Sequence, residues 1–265
     1  ADPCLYIKTY DNNERMILGL YVDDCLIAYD QDWQMKEVLD QLKEVYALKD
    51  LGQPTQILGI QVESFENGDV KIHQARYIKE LLVRFGMGDC NEAPIPQAPS
   101  LFLTQDMRPS TEADREAMKK VPYAELVGSL NWLATSARPD IAQTVSKLCR
   151  FVSNPGPEHW KAGKQVLRYL KGTKSYGLRY RHDGNQELLG YQDSDWAGDK
   201  DTRRSTSGFG FALAGALVSW RSKLQTSVAL SSTEAEYMAC CFATREAVWL
   251  RRLLMETGLQ VAGPT

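Results

Sequence analysis

The sequence predicts an α+β chain in three parts: strands around an acidic turn, a helical middle, and a strand-rich end closed by one long helix. Three observations carry this. Tyr21-Val-Asp-Asp24 sets two adjacent carboxylates between the apolar runs 16–20 and 25–29. From Tyr123 to Leu170 helical spacing dominates. After Tyr176 the texture changes to short strand-like runs, and a helix from about Thr233 to Glu256 follows them.

Residues 4–29 read as strand segments around the acidic turn. Met35, Val38, Leu39, Leu42, Val45 and Tyr46 keep helical spacing, which predicts a helix over 32–46. "ILGIQVESFENGDVKIHQ" reads as a hairpin with Asn67-Gly68 at its turn. A helix over about 76–85 follows. "NEAPIPQAPS" is a Pro-rich connector, and the polar run through Arg115 reads as a surface loop.

"PDIAQTVSKLCRFV" predicts a helix broken by Asn154-Pro-Gly-Pro157. "HWKAGKQVLRYLKG" predicts the next, stopping at Gly172. "LRYRHD", "LLGYQDSDW", "SGFGFALAGALVSWRS" and "TSVALSS" read as strands.

Composition is that of a globular protein, 43% hydrophobic and 25% charged, and 265 residues suggest about two domains. A net charge of −3 excludes a globally basic nucleic-acid binder. The charge is segregated, however. Residues 138–181 hold ten Lys or Arg against Asp140 and Glu158, so this block carries +8 and the remainder −11. Lys161, Lys164, Arg168 and Lys171 share one helix face, and Arg138, Lys147 and Arg150 add a second row. Such a block either follows a phosphate backbone or forms a solvated helix face.

The six cysteines form no C-x-x-C pair and the three histidines lack ligand spacing, which argues against zinc. Cysteines inside apolar runs fit a reducing cytoplasmic or nuclear compartment. No secretion signal and no run long enough to span a bilayer is present.

Asp23 and Asp24 have two readings. Asp is an ordinary turn residue. Adjacent carboxylates on a rigid hairpin also repel, and a divalent cation relieves that repulsion; hard oxygen donors suit Mg²⁺. A second pair poses the same question. Asp193 falls on an expected inner strand, where an unpaired acid is costly. Glu236 falls early in the closing helix. Ser231-x-x-Glu234 and Thr233-x-x-Glu236 both fit a capping box, so Glu236 also reads as a cap. Asp195 and Asp199 read as loop or strand-edge charges.

In chain order, "YVDDCLIA", "ILGIQVE", "RPDIA", "LRYLKGT", "DSDWAGD", "STSG" and "SSTEAEY" resemble the Pol polyprotein of copia-type LTR retrotransposons, over essentially the whole chain. The resemblance implies a partial reverse-transcriptase palm over 1–95, a helical thumb and connection over 96–182, and a truncated RNase-H-like α/β domain over 183–265. It implies that Asp23 and Asp24 hold Mg²⁺ for nucleotidyl transfer. It implies that Asp193 and Glu236 are two members of a metal-binding RNase H carboxylate set. "ILGIQVE", around Leu58 and Gly59, resembles the hairpin that positions a primer end.

The implied partners are an RNA–DNA hybrid or template–primer duplex and the rest of the Pol polyprotein, with no membrane. The implied compartment is cytoplasmic or nuclear, including virus-like particles. The family's polymerase site draws another Asp from upstream of YVDD, and its RNase H site a third Asp in a "DN" motif after the long helix. Asp2 and Asp11 are the only earlier aspartates, and none follows Asp201. The expectation is two incomplete carboxylate sets. The chain is then part of a polymerase/RNase H that is inactive alone, or a catalytically dead, effector-like module that binds nucleic acid or a host protein.

Overall fold

A computed structural model of the protein describes residues 1–184, 187–259, 263 and 265. The first sheet is an antiparallel meander of β1 (Leu5–Thr9), β2 (Arg15–Tyr21) and β3 (Asp24–Tyr29). Helix α1 (Asp32–Val45) follows it. Gln34 anchors this turn from inside. It is fully buried, its Oε1 accepts from the Asp30 and Gln31 N–H groups at 3.1 Å, and its Nε2 donates to Glu14 at 2.9 Å.

A second sheet runs β4 (Gln56–Ile57), β5 (Ile60–Ser64), β6 (Val70–His73) and β7 (Gly177–Tyr180), all antiparallel. The Asn67-Gly68 turn is as expected. Gly68 has a φ of 83°, and a Cβ there would meet the His182 ring at 2.9 Å. Strand β7 comes a hundred residues after β6 yet pairs with it, so this sheet joins the early hairpin to the end of the helical block.

That block contains α2 (Ala75–Arg84), α3 (Glu112–Lys119), α4 (Tyr123–Ser136), α5 (Ala142–Cys149) and α6 (Pro157–Gly172). Its dry core includes Ile78 and Leu81 of α2, Leu126 and Leu130 of α4, Leu148 of α5 and Leu167 of α6, each fully buried. Helix α3 replaces the expected surface loop. Its start is capped, since Thr111 Oγ1 accepts from Asp114 N at 3.1 Å, and the helix is too polar for an apolar period to reveal it.

Arg138, between α4 and α5, is 1% exposed. Its guanidinium grips Asp140 bidentately at 2.9 and 2.7 Å and donates to the Thr173 carbonyl and hydroxyl at 3.1 and 2.6 Å. Tyr169 donates to the same Asp140 at 2.8 Å. Burial works to raise the Asp140 carboxyl, but hydrogen bonds and charge from Arg138 outweigh it, and the net shift is downward.

The third sheet comprises β8 (Leu189–Ser194), β9 (Thr206–Leu213) and β10 (Ala216–Leu224), in the order β10-β9-β8. Phe209 and Phe211 face α7 (Ser232–Glu256), where Phe209 meets Phe242 edge-on at 5.0 Å. The other side of the sheet meets the helical block, where β10 packs against α5 and the Trp220 indole donates to the Ala134 carbonyl of α4 at 2.7 Å. The sheet is thus covered on both sides. "SGFGFALAGALVSWRS" is two strands, turned at Ala214 and Gly215 with φ of 52° and 86°. "TSVALSS" is not a strand. Gln225 spends its amide on Ser207 and on the Ala235 carbonyl of α7, and the segment runs into the helix cap, so tertiary context overrides its β-propensity.

His159 fixes the start of α6. Its Nδ1 accepts from Gly156 N at 2.8 Å, so Nε2 carries the proton and donates to the Thr104 carbonyl at 3.1 Å. The ring stacks on Phe151 with centroids 4.0 Å apart. Burial lowers its pKa, outweighing the Thr104 hydrogen bond; Arg108, Asp201 and Glu158 are the charged groups that act on it.

Two outcomes follow from these buried polar groups. Arg138→Ala leaves Asp140 without its cation and is expected to cost about 3–5 kcal/mol in a urea titration. His159 binds a proton more readily unfolded than folded, so stability is present above about pH 6.5 and falls as pH drops below it. The depressed carboxyls of Asp69, Asp140 and Asp199 act only at still lower pH. His159→Gln is expected to flatten the fall in stability just below about pH 6.5, measured by denaturation at each pH.

Candidate functional site

Asp23 and Asp24 lie where the sequence places them, at a tight hairpin tip. Tyr21 pairs with Asp24, leaving Val22 and Asp23 as the turn. Val22 is 80% exposed and has a φ of 53°. A β-branched residue in the left-handed region is strained, and such strain concentrates at functional turns. Both carboxylates are exposed, and neither has a hydrogen bond or ion pair within the described residues. The β4–β5 turn at Leu58-Gly59 is built alike, with φ of 51° and 78°.

Asp193 is exposed on β8. The expected inner strand is instead an edge strand among the described residues, which removes the burial cost argued from sequence. Side chains alternate across β8, and Gln192 lies opposite Phe209, whose ring faces α7. Asp193, opposite Gly208, therefore points off the face that α7 covers. Glu236 is half-buried in the second turn of α7, one residue past the buried Ala235.

The cap belongs to another residue. Ser231 Oγ accepts from Glu234 N at 3.1 Å, and Glu234 Oε2 accepts from Leu230 N at 2.6 Å. Glu236 takes no part, so the capping role left open for it passes to Glu234. Asp199 is not a loop-edge charge either. It is 5% exposed, accepts from the Thr202 N–H and hydroxyl, and pairs with Arg150 at 2.7 Å. Burial pushes its carboxyl up, but Thr202 and Arg150 outweigh that and lower it. Sequence reading had no signal for this, because Asp199 and Arg150 are 49 positions apart.

The basic residues divide sharply. Arg138 is 1% exposed and spends its donors on Asp140 and Thr173. Arg150 is held by Asp199. Arg168 donates to the Asn91 carbonyl and Lys171 to the Cys90 carbonyl, both at 2.7 Å, so they clamp the Pro-rich connector onto α6. Lys161 pairs with Glu158 at 2.5 Å, and Lys164 lies 5.8 Å from the Trp160 ring centre. Lys147 is half-buried on α5. Half of the stripe, Arg168 and Lys171, is thus a seam between α6 and the chain around the connector's start.

Among the described residues no group of three or more His, Cys, Asp or Glu side chains is placed to hold a metal ion. A groove of about 600 Å³ lies elsewhere, lined by Glu63, Lys71, Arg138, Asp140, Tyr176 and Arg179 among others, and contains none of the four acids. No described helix is long and apolar enough to cross a membrane. The cap assignment has a direct check. Glu234→Ala is expected to cost about 1 kcal/mol in thermal or urea unfolding, and Glu236→Ala much less; the reverse order would return Glu236 to the cap.

Residues 1–99 match the family described as reverse transcriptase (RNA-dependent DNA polymerase). The retrovirus-related Pol polyprotein from transposon TNT 1-94 of Nicotiana tabacum is 42% identical over 261 residues, 98% of this chain and 20% of that polyprotein. The chain therefore spans about a fifth of that relative's length. A secreted RxLR effector protein of Plasmopara viticola is 56% identical over 133 residues, half of this chain and 94% of the effector. The putative transposon Ty5-1 protein of Saccharomyces cerevisiae is 34% identical over 236 residues, 88% of this chain and 74% of that protein. No solved structure matches. With nearly its whole length aligned to one transposon polyprotein and most of another transposon protein covered by it, the chain belongs to the family of retrovirus-related Pol polyproteins of transposons.

Proposed function

We propose that the chain contributes the YVDD turn of an RNA-directed DNA polymerase site and two carboxylates of an RNase-H-like site to a transposon Pol polyprotein. The observation that carries this is the strained, exposed tip at Val22, which holds Asp23 and Asp24 forward with no intramolecular partner. Palm, thumb and RNase-H-like roles for the three parts rest on the family match and on the order of the motifs. Asp23 and Asp24, and separately Asp193 and Glu236, are the residues that would hold Mg²⁺. Bound there, the ion would neutralise charge on a phosphate oxygen. The chain's own contribution is placement: a two-residue turn leaves the Asp23 and Asp24 side chains little freedom to move apart.

Two acids per site supply fewer oxygen donors than a two-metal centre requires. The purified chain is therefore expected to bind Mn²⁺ weakly, in place of Mg²⁺, with affinity falling at least severalfold in Asp23→Asn/Asp24→Asn. It is expected to extend no primer and to cut no RNA–DNA hybrid, because lost charge stabilisation of a few kcal/mol already costs orders of magnitude in rate. Manganese relaxation and gel assays read these outcomes. Robust extension by the chain alone would overturn the reading of an incomplete site.

The effector relative favours a second reading, because it covers half of this chain at higher identity than the transposon polyproteins do. In it the fold persists as an interaction module. Carboxylate-to-amide variants at all four acids would then leave its partner binding unchanged, while the polymerase reading requires loss of metal binding.

A further inference from the structure

Charge without a carboxylate or carbonyl partner also lies away from α6. The loop from β8 to β9 presents Arg203 and Arg204, neither of which has a side-chain partner among the described residues. Arg203 is exposed and sits in the left-handed region with a φ of 59°. The nearby acids are already committed. Asp199 is taken by Thr202 and Arg150, and Asp201 accepts from Gln105 N at 3.0 Å. The same contacts stiffen the loop: Arg203 N donates to the Asp199 carbonyl at 2.8 Å, and Asp199 N to the Arg204 carbonyl at 3.1 Å. A strained loop that commits Asp199 and Asp201 and leaves an exposed Arg203 and a half-buried Arg204 without side-chain partners is prepared for an anion from outside.

The register gives these arginines neighbours. Thr206 lies opposite Leu224 and Ser207 opposite Lys223, so Arg204 and the exposed Lys223 share one end of the sheet. Strand β8 finishes at this end, with Asp193 opposite Gly208. Trp196 follows directly. Its indole N–H is tied to the Ala229 carbonyl at 3.2 Å, yet the residue is 58% exposed. An aromatic ring held by its edge and open on its face suits a nucleobase, and a bare arginine pair suits a phosphodiester.

The geometry points to a nucleic-acid-binding surface at this end of the sheet, with Arg203 and Arg204 on the phosphate backbone, Lys223 beside them and Trp196 as a stacking platform. It deepens the RNase-H-like reading by naming what brings a strand to the β8 edge, and it depends on that reading only for location. An acidic peptide would satisfy the arginines but leave the Trp196 face unused, which favours nucleic acid.

The test is run in EDTA, so that failure of the metal-site proposal and failure of this one are separate. Binding of labelled duplex DNA and of labelled single-stranded DNA is followed by anisotropy across a salt series. Arg203→Gln/Arg204→Gln is expected to make the log–log salt slope on the duplex shallower by roughly 0.9 per arginine removed. Lys161→Ala/Lys164→Ala is expected to leave it unchanged. Trp196→Ala is expected to weaken single-strand binding about tenfold with little change of slope, and Trp196→Phe to retain most of it. Unfolding midpoints identify any variant that has simply lost its fold. Three results would overturn the proposal: no measurable binding by the unaltered chain, identical slopes with and without the arginine pair, or displacement by polyglutamate as effective as by single-stranded DNA. The last would assign the surface to an acidic protein.

Discussion

One buried guanidinium organises the middle of this protein. Arg138 has no water to solvate it, so its donors must be met inside, and Asp140, the Thr173 carbonyl and the Thr173 hydroxyl meet them. Those partners come from the start of α5 and from the residue just past α6. The bond set therefore fixes where α6 ends, and four residues later β7 begins on β6. An ion pair of this kind adds little net stability over a well-packed apolar substitute, but it tolerates only one geometry. Position, more than energy, is what it gives the sheets on either side.

The elements most legible in the sequence are those whose signal is local. Asn67-Gly68 announces its turn, and Met35 to Tyr46 announce α1 through spacing alone. The YVDD hairpin follows from two apolar runs around a polar step. What sequence reading misses is set by distant partners or by no pattern at all. Helix α3 is short and mostly polar and is declared by a cap at Thr111. Residues 226–232 look strand-like but yield to Gln225 and the α7 cap. Asp193 was read as an inner-strand acid because a sequence shows that a strand exists, not how many neighbours it has.

The candidate site divides in the same way. Both carboxylate pairs are visible as motifs, and their positions on a turn, a strand and a helix follow from local pattern. The meaning of the basic residues does not. A list of lysines and arginines reveals charge but hides its acceptors, and here the acceptors are backbone carbonyls at Cys90 and Asn91 and carboxylates dozens of positions away. Arg203 and Arg204 are less prominent than the α6 row in the sequence, and neither has a side-chain partner among the described residues. Bare charge, rather than charge density, separates a binding surface from a seam.

The pairing of β6 with β7 has a consequence in time. His73 and Gly177 are partners across the sheet, yet about a hundred residues must be made between them. At roughly 5–20 residues per second, a ribosome takes on the order of 5–20 s to cover that span. During that interval the β5–β6 hairpin has an open edge, and two-stranded hairpins are only marginally stable in water. The nascent chain therefore carries an unpaired strand edge until the helical block is nearly complete. Timing of synthesis, and anything that holds the early hairpin meanwhile, then bears on how much of the chain reaches the folded sheet.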